Sequence, residues 1–105
     1  MTIKEFKKLL ENTFEESRKT YDHKMNEYAT DLDVFQSFKK GVGFSFQSTP
    51  EGVAWEYACK HFESIKNIIS KCPGEVPTDE LLNEKIGDAI NYLIIIKGLI
   101  KERGE

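Results

Sequence analysis

The sequence predicts an all-α fold, a helical bundle of about four helices: a long N-terminal helix, a short helix, and two long antiparallel helices. Three observations predict it. Apolar residues recur at three- and four-residue intervals through three long stretches. Each of those stretches opens on a threonine suited to capping a helix. The three prolines, Pro50, Pro73 and Pro77, stand at or outside the ends of those stretches. The 105 residues make a single all-α domain, residues 1–105, long enough to bury a core. Seven Phe, four Tyr and one Trp give folding a driving force that a disordered chain lacks.

The first helix starts at a capping box, Thr2-x-x-Glu5. Ile3, Phe6, Leu10, Phe14, Tyr21, Met25 and Tyr28 then lie on one face, with Ser17 or Arg18 filling the one gap, so the helix is expected to reach about Tyr28. Thr30, Asp31 and Asp33 supply cap candidates for a short helix through Val34, Phe35 and Phe38, which Gly41 or Gly43 would end. Gly43 to Ser48 alternates apolar and polar residues and reads as a short extended piece with no partner strand. Ser48-Thr49-Pro50-Glu51 starts the third helix, with Pro at its first position and an acid beside the positive end of the dipole. Its seam is Ala54, Ala58, His61, Ile65, Ile68 and Cys72. Pro73-Gly74 stops it, and Thr78-Asp79-Glu80 caps the last helix, whose seam is Leu82, Ile86, Ala89, Leu93, Ile96 and Ile100. Two facing seams of equal length predict an antiparallel pair joined by the Pro-Gly-Glu-Val-Pro turn.

Charge narrows the function. Lys and Arg total 15 against 18 Asp and Glu, for a net charge of -3, and no segment concentrates the positive charge. Long nucleic acid is therefore not an expected partner. No apolar run approaches a membrane span and no signal-peptide core opens the chain, so no membrane is expected and the chain reads as cytoplasmic. Cys59 and Cys72 would sit about 20 Å apart on one straight helix and are expected to stay reduced.

The last helix carries a face that breaks the amphipathic rule. At about 100° per residue, Glu84, Asp88 and Asn91 share one side. That side continues into Ile95 and Leu99, so the helix becomes apolar almost all round from Tyr92 onward. Burial on more than one side follows. A chain this short has few helices to provide it, which predicts self-association. Two carboxylates one turn apart on a face becoming core need a cation, a basic side chain or a metal. Their oxygens suit a hard cation such as Mg²⁺. A second cluster, Lys24, Glu27, Tyr28 and Asp31, closes the first helix; Glu27 facing Glu84 and Asp88 would complete three carboxylates, with Lys24 placed for a phosphate. The plainer alternative is a surface Lys24–Glu27 pair with Tyr28 in the core. Lys60, His61 and Ser64 form a third cluster, in which His61 is a satisfied core histidine or part of a polar pocket. Zinc spacing, a nucleophile elbow and a phosphate-binding glycine loop are all missing from the pattern.

These clusters occur in a recognisable order. Lys24-Met25-Asn26-Glu27-Tyr28-Ala29, followed by Asp31-Leu32-Asp33-Val34-Phe35-Gln36-Ser37-Phe38, resembles the signature K-x-x-(D/E)-Y-(A/G) … D-x-F-x-N-F of small phage and prophage proteins associated with nucleotide modification. Lys60-His61-Phe62-Glu63-Ser64-Ile65 is similar to their central helix, and Glu84 to Leu93 to their closing E-x-x-x-D-x-x-N-Y helix. A looser resemblance runs to the MazG-like all-α nucleoside triphosphate pyrophosphatases. Where those carry E-x-x-E on the first metal helix, this chain has Glu27 with Asp31, and Lys85 stands where many of them have a second Glu. The resemblance implies a MazG-like bundle acting on a nucleotide. Glu27, Glu84 and Asp88 would be catalytic metal ligands for Mg²⁺, and Lys24, Tyr28, Lys60, His61 and Asn91 would line the nucleotide pocket. It also implies a homo-oligomer, dimer or tetramer, and a host-cytoplasmic location for a phage-encoded chain. The alternative is a non-enzymatic oligomeric phage interaction or structural protein with the same helical fold.

Overall fold

The structure, a computed structural model, describes residues 1–28 and 33–104, with side chains described for residues 1–23 and 33–104. Among them are four helices and no β-strand: α1 (Ile3–Tyr28), α2 (Gln36–Gly41), α3 (Pro50–Lys71) and α4 (Asp79–Arg103). The all-α bundle is as the sequence predicts.

Side chains fix the helix starts. Glu5 accepts from the Thr2 N–H at 3.0 Å while the Thr2 hydroxyl accepts from the Glu5 N–H at 3.1 Å, so two otherwise unpaired amides are satisfied together. Thr49 accepts from the Gly52 N–H and Thr78 from the Leu81 N–H, each at 3.1 Å. Asp33 acts differently from the expected cap. Its Oδ1 accepts from the Phe35 N–H at 2.9 Å, whereas the residue before α2 is Phe35, which offers no capping side chain. Thr30 and Asp31 lie outside the described residues. Residues 43–48 form turns and bends rather than the extended piece expected of them.

α3 and α4 are antiparallel. Glu51 pairs with Arg103 at one end and His61 meets Asp88 near the middle, so numbers rise along one helix as they fall along the other. Their contact is built from small residues: Ala54, Ala58 and Ala89 are all buried, which lets the backbones approach. At the far end the core thickens around Phe38, Val53, Ala54 and Leu99, with Phe35, Val42, Tyr92, Ile95 and Ile96 packed against them. The Phe38 ring meets Tyr92 edge-on at 6.2 Å, the geometry that aromatic quadrupoles favour.

The observed inner face of α4 differs from its expected seam. Ile86, Ala89 and Ile96 are wholly or partly covered, but Leu93 and Ile100 are exposed. Asp88, Asn91, Tyr92, Ile95 and Leu99, the face that broke the amphipathic rule, is the one turned inward. The physical reason is a third neighbour. α1 packs on α4 through Ser17, whose carbonyl accepts from the Asn91 amide at 3.1 Å and whose side chain lies over Gly87. α2 then covers the far end through Phe35 and Phe38. The first twelve residues of the chain, by contrast, are all exposed, and the molecule measures 43 × 26 × 26 Å. Cys59 and Cys72 are free and exposed. No helix among the described residues is long and apolar enough to cross a membrane.

Ion pairs tie the end of α4 back to the rest. Lys39 donates to Asp33 at 2.7 Å and to Glu102 at 2.6 Å. The Lys39 ammonium, followed by the Phe35 N–H, holds the Asp33 carboxyl below its usual value. Glu51 is lowered first by its own backbone N–H at the start of α3 and then by Arg103, against the opposing effect of burial. Both carboxylates have depressed values in the folded chain, so they contribute stability above the unfolded carboxylate range, and that contribution is lost as pH falls through the folded values. The urea midpoint is expected to drop between pH 7 and pH 3, and Glu51→Gln to flatten part of that drop; equal slopes for both proteins would remove Glu51 from the account.

Candidate functional site between α3 and α4

The candidate site forms where the α3–α4 seam turns from small residues to polar ones. Asp88 is only 5% exposed, and its Oδ2 lies 3.6 Å from His61 Nδ1. That is an ion-pair distance, effective when the imidazole is protonated. The His61 side chain is 24% exposed, and its ring lies on Tyr92 at 4.9 Å with a 30° tilt. Carboxylate and phenol ring together fix the imidazole between two helices, a polar pocket rather than a purely apolar core position.

The other expected members are placed less uniformly. Glu84, one turn before Asp88, has a side chain 62% exposed and its Oε1 3.9 Å from the Lys85 ammonium. Of the two carboxylates expected to face inward, Asp88 does and Glu84 stands mostly in solvent. The Lys60 ammonium sits 5.6 Å from the centroid of the Tyr57 ring and is otherwise exposed. Asn91 commits one amide hydrogen to Ser17 of α1, so this side chain serves the α1–α4 packing whatever else it touches. Lys24, Glu27 and Tyr28 are on the last turns of α1, and their side chains lie outside the described residues, as does Asp31.

Oxygen donors in an i, i+4 pair fit a hard divalent cation, which keeps several of its waters. Glu84 and Asp88 supply two such donors. No group of three His, Cys, Asp or Glu placed to hold a metal occurs among the described residues.

Two groups escaped the sequence reading. Ser17 is buried and its hydroxyl has no hydrogen-bond partner among the described residues, and the same is true of Glu56 Oε2 on α3. A buried oxygen without a partner is the kind of atom that a water or cation satisfies. Glu56 gave no signal in the sequence because a lone acid among apolar residues, between Trp55 and Tyr57, reads as the solvated side of an amphipathic helix. Ser17 showed in the sequence only as a candidate for the gap in the α1 apolar stripe, with nothing to mark it as buried.

Comparison with known protein families, curated proteins and solved structures finds no match to this chain.

Proposed function

We propose that the chain is a Mg²⁺-dependent nucleotide-binding protein, of the nucleoside triphosphate pyrophosphohydrolase type or a relative acting on modified nucleotides. The observation that supports it is a buried carboxylate, Asp88, held beside an imidazole, with a second carboxylate one turn away open to solvent. Glu84 and Asp88 would hold Mg²⁺, with Glu27 as third ligand; bound there, the ion supplies charge neutralisation for the phosphates and polarises a water. Lys60, exposed beside His61, offers a mobile positive charge to a phosphate, as does Lys24 in the same reading. His61, braced by Tyr92 and 3.6 Å from Asp88, would line the nucleotide pocket. Asn91 and Tyr28 complete the expected nucleotide contacts. Isothermal titration with Mg²⁺ and deoxynucleoside triphosphates is expected to show binding by the wild type that Glu84→Gln with Asp88→Asn abolishes, while far-ultraviolet circular dichroism stays helical. No binding by the wild type at millimolar ligand ends the reading.

A second reading, a non-enzymatic oligomeric phage interaction or structural protein, draws on the exposed apolar surface of α1 and α4. It predicts that the same double variant leaves assembly intact and that the wild type turns over no nucleotide.

A further inference from the structure

α1 carries more apolar surface than one chain covers. Ile3, Phe6, Leu10 and Phe14 fall within about 80° of arc at 100° per residue. With Leu9 beside them, they are between 46 and 79% exposed. Tyr21 and the buried Ser17 continue the same stripe onto α4. Between the two helices an apolar groove of about 180 Å³ is lined by Phe14, Ser17, Tyr21, Ile90 and Ile94. The whole chain exposes 8121 Å², whereas a folded monomer of 12.1 kDa exposes about 6,000 Å². The difference, about 2,100 Å², lies within the roughly 1,000–2,500 Å² that each subunit of an obligate dimer buries. The radius of gyration, 15.7 Å, likewise exceeds the roughly 13 Å expected of a compact chain of this length.

Charge says what covers the stripe. Along one flank the order is Lys4, Lys7 and Lys8, then Glu11 and Glu15. Lys4, Lys7, Lys8 and Glu11 make no ion pair with other described residues, and Glu15 pairs only with its helix neighbour Arg18. In an antiparallel helix pair the same flank of each helix faces its copy in reverse order. With the two-fold axis at Leu10, Phe6 of each copy meets Phe14 of the other. Ile3 then reaches Ser17 at the mouth of the groove, and the lysines lie against Glu11 and Glu15. A parallel pair would instead set this flank against the opposite one, which carries Thr2, Leu9 and Thr13, and would leave the lysines without acidic partners. We propose that the exposed Ile3–Phe14 stripe of α1 is an isologous interface, pairing antiparallel with the α1 of a second copy of this chain. The proposal is independent of the nucleotide reading.

Analytical ultracentrifugation of the full chain at about 100 µM is expected to show a dimer that Leu10→Glu converts to monomer, with association weakened at least about a hundredfold. Leu10 contributes nothing to the α3–α4 core, so helicity is expected to persist. Two charge variants test the register. Lys4→Glu with Lys8→Glu, and Glu11→Lys with Glu15→Lys, are each expected to be monomeric alone and to dimerise when mixed. In a Cys59→Ser, Cys72→Ser background, Leu10→Cys is expected to cross-link to its copy on oxidation and Ile3→Cys is not. A wild type that is monomeric at this concentration overturns the proposal. So does a dimer indifferent to Leu10→Glu, cross-linking at both cysteine positions, or Leu10-dependent binding of the monomer to anionic lipid vesicles.

Discussion

Leu99→Ala is expected to lower folding stability by about 3 kcal/mol, the middle of the range for removing a buried leucine side chain. Leu99 is 3% exposed and sits where α4, α3 and α2 meet, against Phe38, Val53 and Ala54. The loss combines the transfer of the removed methyl groups with a cavity that neighbours on three elements hold open. A domain of this size has about 5–15 kcal/mol in total, so one side chain accounts for a substantial share. In thermal melts at fixed protein concentration, Tm is expected to fall by at least about 10 °C. A fall under about 4 °C would mean that Phe35 and Phe38 collapse into the space.

Gly41→Ala is expected to cost about 2 kcal/mol although alanine is the better helix former. A Cβ at this position would stand 2.8 Å from Val53 Cγ1. Val53 is 0% exposed at the centre of the core, so the crowding has no outlet, and overpacking of this kind costs about 1–3 kcal/mol. Gly98→Ala provides the contrast. Its Cβ would lie 2.7 Å from the Phe35 ring tip, but that ring is only partly buried and can turn outward. With the usual gain of about 1 kcal/mol for alanine over glycine within a helix, this substitution is expected to be near neutral. Urea denaturation of both variants separates the cases, and equal midpoints would show that α2 moves away from α3.

Helix ends were legible because they are local. Thr2 with Glu5, Thr49 and Thr78 act through hydrogen bonds to residues three positions away, and sequence spacing contains all of that geometry. The sides of α4 were less legible because they depend on what packs there. A four-three repeat placed Leu93 and Ile100 inside, yet the structure exposes both. Ile95 and Leu99 are inside instead because α2 folds over them, a contact between residues some sixty apart in the chain. The candidate site was legible in part for the same reason. The i, i+4 spacing of Glu84 and Asp88 places them on one face, but it does not say where along that face the cover ends. It ends between them, leaving Asp88 buried beside His61 and Glu84 in water. Glu56 was invisible, since a lone acid on an amphipathic helix reads as solvated until the packing shows one of its oxygens covered.

The small residues at the α3–α4 contact have a consequence for how this sequence can drift. Ala54, Ala58 and Ala89 hold the helices close, and a larger side chain at any of them would wedge His61 away from Asp88; Gly87 does the same for α1, whose Ser17 lies against it. Identity at these positions is therefore constrained by what must be left out. Distant descendants of this chain would keep a pattern of small residues, and its position would mark their common origin.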